Sequence, residues 1–230
     1  MPLSPHARPL VLCLAAIVVV AAVFALFPGL DPAVSGWTHF PERGGFSYDA
    51  EPAAQRLRNL LRGAMNATFA LCLVGALMGA AGRRLWAVPG RVYEWALLVF
   101  ALGPGLIVDV LLKSYWGRAR PADVTIFGGE ARYSPFWLPT DQCADNCSFV
   151  SGEGAGAAAS ALALAAILRA APVADRRPAL VVIWGLAGLT GAMRVAMGRH
   201  FVSDVVLSFL IVAAIGAALR LIPRYRYVRP

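Results

Sequence analysis

The 230-residue sequence predicts an all-α polytopic membrane protein, six transmembrane helices in one bundle, and three observations carry that prediction. Hydrophobic residues make up 59% of the chain and charged residues only 15%, far from the mix of a soluble domain. Mean hydropathy is +0.64. A spanning helix needs about 20 mostly apolar residues, and such stretches occur at roughly 9–28, 63–82, 92–112, 149–171, 179–198 and 201–222. What remains is two sizeable hydrophilic segments, 29–62 and 113–148, two short loops and two tails, so 1–230 reads as a single membrane domain.

The first stretch, PLVLCLAAIVVVAAVFALF, follows a short basic tail as a signal peptide would. Its apolar run exceeds a usual signal core and PGLDP offers no small-x-small cleavage site, so it is expected to remain as a helix. Before the second stretch, EPAAQRLRNLLRGAM sets Leu57, Leu60, Leu61 and Met65 at helical spacing against Arg56, Arg58 and Arg62. That pattern suits an interfacial helix lying on the membrane, and equally an ordinary solvated connector. The fourth stretch begins GEGAGAAASA, with Gly152 and Gly156 four apart, the composition of a close helix-packing face.

Six spans put both termini on one side. Lys and Arg divide almost evenly between the two sides, so density decides: GRRLWAVPGR, RAAPVADRRP and RYRYVRP concentrate arginine in short pieces nearly free of acid. The positive-inside rule then makes the termini cytoplasmic and turns 29–62, 113–148 and the junction of spans five and six outward. Cys13 and Cys72 lie within spans and read as small core residues. Cys143 and Cys147, in CADNC, can close a small disulfide if their loop faces an oxidising compartment; without companion His or Cys they do not make a zinc site.

Ionisable residues at membrane depth are costly, so they mark candidate functional sites. Three clusters stand out: KSYWGRARP (113–121) at the outer end of span three, VSGEG at the outer start of span four, and RVAMGRHFVSD (194–204) across the junction of spans five and six. All three fall at one membrane face. Lys113 is the only lysine among 21 basic residues, and His200 is the one histidine near a span, since His6 and His39 belong to a tail and a loop.

Guanidinium forks and an ammonium bind phosphate oxygens by charge-assisted hydrogen bonds, which nominates Lys113, Arg120 and Arg194 as a phosphate cradle. Ser151 and Gly152 head span four, where free N–H groups and the helix dipole favour an anion, although Ser151 also suits a plain N-cap. His200 and Asp204 are spaced i to i+4, so on one helical face Asp204 can accept from one ring nitrogen and leave the other to attack phosphorus. No metal or other cofactor is called for, because the carboxylates do not cluster as Mg²⁺ demands and the cations already balance phosphate charge. Asp109, one turn before Lys113, is expected to pair with it and aim its amine.

These residues resemble the three signature motifs of the type-2 phosphatidic acid phosphatase superfamily. Lys113 through Pro121 match K-x6-R-P, VSGE approximates P-S-G-H, and Arg194, His200 and Asp204 match S-R-x5-H-x3-D. The resemblance implies phosphate binding by Lys113, Arg120, Ser151, Gly152 and Arg194, nucleophilic attack by His200, and orientation of His200 by Asp204. It also implies a bacterial inner-membrane lipid phosphatase acting at the periplasmic face through a phosphohistidine. Val150 stands for the motif's Pro, Met193 for its Ser, and Glu153 for a histidine that in the family protonates the leaving alkoxide. Glu153 can act as that acid if it holds a proton, as the base that activates water, or only in substrate choice.

The expected partner is a phosphorylated membrane lipid in the bilayer: lipid A, undecaprenyl diphosphate or phosphatidylglycerol phosphate, with the arginines of QRLRNLLR favouring the large anionic head of lipid A. Two other readings are a lipid-to-lipid phosphotransferase and a non-catalytic phospholipid-binding membrane protein. Vanadium haloperoxidases share the motifs but are soluble, which the apolar spans oppose. Nucleic acid is not an expected partner, because no basic patch with interleaved aromatics lies on a soluble face. The sequence does not indicate an oligomeric state.

Overall fold

The computed structural model describes residues 4–230. Among them, six helices are long and apolar enough to cross a membrane. The first is α1 (Arg8–Leu26), followed by the short α2 (Leu30–Gly36) and the long α3 (Pro52–Ala80). The third span starts as α4 (Gly90–Phe100), continues through a π-helical segment (Ala101–Leu112) and closes in the single turn α5 (Lys113–Tyr115). Next come α6 (Gly152–Ala170), α7 (Arg177–Ala196) and α8 (Val202–Leu219). The chain is thus an all-α polytopic bundle, as its composition predicts.

Lipid supplies no hydrophobic drive between helices, so the bundle depends on close van der Waals packing. The small side chains of α6 provide it: most of this helix is buried, and it packs against α3, α4, α7 and α8. By contrast α1 buries no residue and lies chiefly on α8, turning its valines and leucines outward. The indole N–H of Trp95, fully buried in α4, donates to the Gly216 carbonyl of α8 at 3.1 Å, which satisfies the one polar atom that burial would otherwise penalise.

Helix boundaries follow local chemistry. Proline opens α1, α3 and α7, where its missing N–H has no intrahelical partner in any case. Pro104 lies inside the third span, where it cannot donate to the preceding turn and its ring crowds the backbone; the turns around it widen into π geometry. Gly117 then turns the chain out of the membrane at φ +66°, where an added Cβ would fall 1.6 Å from the Thr140 carbonyl oxygen, so only glycine fits.

The second span departs from the sequence-based boundaries. Residues 52–62 are neither an interfacial helix nor a connector: they are the first turns of α3, a continuous helix of 29 residues. At 1.5 Å per residue it is about 43 Å long, well beyond the ~30 Å hydrocarbon core. The excess carries Arg56, Arg58 and Arg62 above the apolar layer, which explains why a hydropathy window breaks there although the helix does not. The two long loops at this end of the bundle are correspondingly 27–51 and 116–151. They are tied together by the Tyr133 hydroxyl on the Pro28 carbonyl at 2.8 Å and held to the α7–α8 turn by the Ala122 N–H on the Gly198 carbonyl at 3.0 Å.

Candidate active site

The three motif segments converge at one end of the bundle. A cavity of about 250 Å³ is lined by Lys113, Arg120, Arg194 and His200, together with Glu153, Arg58, Arg199 and Asn146. Each side chain arrives from a different element. Lys113 starts the last turn of span three; its Nζ lies 3.6 Å from Asp109 and donates to the Asn146 side-chain carbonyl at 3.2 Å, so the expected Asp109 pairing is present. Arg120 donates to the backbone carbonyl of the same Asn146 at 2.7 Å. Arg194, buried in the last turn of α7, has no hydrogen bond on its Nε, which lies 3.7 Å from a Glu153 carboxylate oxygen, and its Nη1 makes a weak contact with the Met197 sulfur at 3.6 Å. Its guanidinium thus lies at the cavity wall with one carboxylate nearby and few hydrogen bonds.

His200 sits in the turn between α7 and α8, 2% exposed. Its Nδ1 lies 2.7 Å from the Ser148 carbonyl oxygen. A carbonyl can only accept, so Nδ1 carries the proton and Nε2 keeps its lone pair. Burial, followed by the nearby charges of Arg194 and Lys113, pushes His200 well below its ordinary pKa, so the ring is neutral at physiological pH.

The expected direct bond from Asp204 to His200 is not made. Their closest atoms, Nδ1 and Oδ2, are 4.0 Å apart. Asp204 is instead saturated by Arg118 at 2.5 Å, the Ser148 hydroxyl at 2.6 Å and the Phe201 N–H at 2.9 Å. It reaches the imidazole indirectly: Ser148 donates its hydroxyl to Asp204 and offers its carbonyl to His200. The i to i+4 spacing does place the two residues together, but His200 precedes α8, which leaves its ring to a segment 52 residues away.

Ser151 and Gly152 divide the roles expected of them. Ser151 is fully buried; its hydroxyl accepts from the Gly154 N–H at 3.1 Å as the N-cap of α6, and its own N–H goes to the Asp204 carbonyl at 3.2 Å. The N–H is committed, while the hydroxyl serves as acceptor and keeps its own proton to donate. Gly152 is the first residue of α6, where a Cβ would come within 2.8 Å of the Lys113 Nζ; glycine is what lets the ammonium approach the helix N-terminus.

Glu153 is clamped by Arg58, whose Nε lies 2.9 and 3.2 Å from its two carboxylate oxygens and whose Nη2 lies 2.5 Å from one of them; Arg194 Nε stands at 3.7 Å. Sequence reasoning missed Arg58 as a site residue, although its arginine cluster is visible, because only the length of α3 brings it here. Asn146 was missed as well, despite lying between Cys143 and Cys147, which are joined in a disulfide. Arg199, ion-paired with Asp49, completes the wall. Among the described residues no three His, Cys, Asp or Glu side chains gather as a metal site.

A second cavity of about 540 Å³ adjoins the first and shares Arg58, Lys113, Asn146 and Glu153 with it. Its other walls are mixed, with Met65 and Phe69 of α3 and Phe100 and Pro104 of the third span beside Arg62, Asn66 and Asp109. The polar chamber therefore adjoins one of mixed polar and apolar lining.

Residues 94–227, which contain all three clusters, match the PAP2 superfamily. The chain is 41% identical over 124 residues to a lipid A 4'-phosphatase of Rhizobium leguminosarum, covering 54% of this chain and 52% of that protein. It is 41% identical over 129 residues to the lipid A 4'-phosphatase of Rhizobium etli, covering 56% and 49%. To the lipid A 4'-phosphatase of Francisella tularensis subsp. novicida it is 38% identical over 108 residues, 46% of each chain. The chain thus spans about half the length of the curated relatives it matches. No solved structure matches it. With the family match covering more than half of the sequence and every motif cluster, the chain belongs to the PAP2 superfamily.

Proposed function

We propose that the chain is a phosphatase of a phosphorylated membrane lipid, with lipid A as the favoured substrate and His200 as the nucleophile. The observation that carries this reading is a buried, neutral imidazole whose proton is fixed on Nδ1, on the wall of a cavity that also holds Lys113, Arg120 and Arg194. In the first step the Nε2 lone pair bonds to phosphorus and the P–O ester bond breaks. Its electron pair leaves on the lipid oxygen, which takes a proton from water. The three cations hold the phosphoryl oxygens as charge spreads over them. In the second step water attacks the phosphohistidine, the N–P bond returns its pair to Nε2, and inorganic phosphate leaves.

Glu153 fits the second step better than the first. Three short contacts from Arg58 favour its carboxylate form, which can accept a proton from the attacking water but has none to give to a leaving alkoxide. Asp204 orients His200 through Ser148. Gly152 gives the phosphate access to the α6 N-terminus, and Ser151 builds that terminus. No metal takes part in this scheme.

The larger cavity beside the polar one suits the head of a phosphorylated lipid, since its lining combines cations with apolar side chains of α3 and the third span. Arginine density favours cytoplasmic termini and with them a site facing the periplasm of a bacterial inner membrane, a reading that the Cys143–Cys147 disulfide also supports. The relatives' names favour lipid A, and the cations of α3 beside the cavity suit a large anionic glycolipid.

The test uses purified protein in detergent with lipid A, undecaprenyl diphosphate and phosphatidylglycerol phosphate, with released inorganic phosphate as the readout. Lipid A is expected to turn over fastest, and His200→Ala to release none. Release unaffected by His200→Ala would sink the reading. Labelled phosphate recovered on a second lipid instead of in water would convert it to a phosphotransferase.

A further inference from the structure

The segment KSYWGRARP contains an arginine that the phosphate cradle does not use. Arg118 is fully buried, with 0% exposure, two residues before Arg120. Its Nη1 donates to Asp204 at 2.5 Å and to the Ser203 hydroxyl at 3.0 Å, its Nη2 to Asp31 at 2.8 Å, and its Nε to the Ser134 carbonyl at 2.9 Å. The Phe201 ring covers it at 4.3 Å.

Asp31 reaches this point from α2, in the first of the two long loops. It accepts from the Ser203 N–H at 2.9 Å and the Ser203 hydroxyl at 2.6 Å as well as from Arg118, and it is buried. A chain of contacts thus runs Asp31–Arg118–Asp204–Ser148–His200, every link between 2.5 and 2.8 Å.

The charge count is informative. A guanidinium balanced by one buried carboxylate would satisfy folding; here two carboxylates share one guanidinium, so the group carries a net negative charge that the N-terminus of α8, through the Ser203 and Phe201 N–H groups, helps to offset. Burying that charge is costly, and besides tying α2 to the start of α8 through Ser203 it sets a negative group behind the imidazole. The excess charge lies on the Nδ1 side of His200, while Lys113, Arg120 and Arg194 act on the same ring from the cavity. As Nε2 bonds to phosphorus the ring becomes cationic, and an anion behind it stabilises that charge while the three cations oppose it.

We propose that Arg118 and Asp31 are positioning residues of the reaction: Arg118 holds Asp204 ionised and aimed through Ser148 at His200, and the net negative charge of the Asp31–Arg118–Asp204 group stabilises the ring cation of the phosphohistidine. This rests on the phosphatase reading. Burial acts against charge on Arg118, yet Asp204 and Asp31 outweigh it and hold the guanidinium above its ordinary pKa, so its cation is permanent.

The pH dependence follows from every charged group that faces His200. Arg194, Lys113, Arg120, Arg58 and Arg199 disfavour its protonation; Glu153 and the Asp31–Arg118–Asp204 group favour it. Neutralising Asp31 removes part of the favouring set.

The experiment compares wild type, Asp31→Asn, Asp31→Glu and Ser203→Ala in detergent on the lipid substrate, with His200→Ala as control. Asp31→Asn is expected to lower kcat about tenfold, to leave KM within about threefold, and to move the acid limb of kcat/KM down by about half to one pH unit. Asp31→Glu recovers part of kcat and restores the limb. Ser203→Ala, which removes one hydroxyl from the Asp31–Arg118 link and keeps the backbone bond, shifts both in the same direction by less, and it serves if Asp31→Asn does not fold. Wild-type kcat and an unmoved acid limb in the folded variants overturn the proposal, as does a fall in activity that only follows a fall in thermal stability. Activity surviving in His200→Ala would instead overturn the phosphatase reading, so the two failures are distinguishable.

Discussion

Arg118 and Arg120 stand two residues apart in one motif and live in opposite environments. Arg118 has two carboxylates, a hydroxyl and a carbonyl around its guanidinium and no contact with solvent. Arg120 has a single backbone carbonyl and lines the cavity, and Arg194 beside it has no hydrogen bond on Nε and one carboxylate, Glu153, at 3.7 Å. A saturated cation holds geometry; one that lines the cavity can meet a ligand. The site is built as a fully buried, densely bonded back wall behind His200 and a front wall of side chains that line the cavity.

The most severe way to break this division is to remove the residue where the walls meet. His200→Ala is expected to cut turnover by about 10⁴-fold or more while the fold survives, because only one contact to Ser148 is lost from the back wall. Residual phosphate release measured with purified protein checks it.

Next come the two kinds of arginine. Arg194→Ala is expected to cost roughly 10²- to 10³-fold in kcat, the scale of losing one charged donor to a transition state, with little change in stability. Arg118→Ala strands Asp31 and Asp204 as buried, unpaired carboxylates and is expected to destabilise by about 3–5 kcal/mol. Thermal unfolding in detergent next to kinetics separates them. If both variants lose activity and stability in the same proportion, the front and back walls are not distinct.

How far the sequence foretold these walls depends on the range of the contacts. The front wall is legible: Lys113, Arg120, Arg194 and His200 are rare ionisable groups at the ends of apolar runs, and composition alone exposes them. Five of the six spans also lie within a few residues of their expected limits. The back wall is not legible. Asp31 follows α1 with no local signal, and it meets Ser203 172 residues later. Ser148 intercepts the His200 ring although spacing favours Asp204, since a pattern on one helix is blind to a loop packed against it. The second span failed for a related reason: arginines that point to a polar site above the lipid read as the end of the helix that carries them.

The pH response sharpens the comparison further. His200 has a folded pKa pushed well below the ordinary value of about 6.5, by burial and then by Arg194 and Lys113. Below about pH 6.5 the unfolded chain binds a proton that the folded chain refuses, so the contribution of this residue to stability falls as pH drops through that range toward the folded pKa. The acid limb of kcat/KM, which reports loss of the neutral nucleophile, is accordingly expected well under 6.5. A limb at or above the ordinary value would mean that the ring is solvated during turnover and that the cationic front wall does not act on it.

Glu153 belongs to the front wall yet is fully paired, which makes it an informative exception. Glu153→Gln keeps its shape and a carbonyl for Arg58 but cannot take a proton from water. About a tenfold loss in kcat is expected, with phosphohistidine accumulating during turnover because its hydrolysis has become the slow step. An unchanged rate and pH profile would leave Glu153 only the task of aligning Arg58.

The smallest effect belongs to the loop that steadies the front wall from outside. Asn146 sits at φ +49° between the bonded cysteines, accepting Lys113 on its side chain and Arg120 on its backbone. A disulfide closing so short a loop contributes about 2 kcal/mol or less, so reducing it leaves the bundle intact and loosens only the two cations. Asn146→Gly retains the left-handed turn and deletes the Lys113 partner, whereas Asn146→Ala also strains the backbone. We expect a KM rise of about threefold for Asn146→Gly, a larger one for Asn146→Ala, and kcat within about twofold for both, since substrate and transition state would lose the same alignment. If kcat falls with KM unchanged, the loop acts on chemistry and not on binding. Asn146 would then be grouped with Ser148, two residues further on, as part of the wiring behind His200.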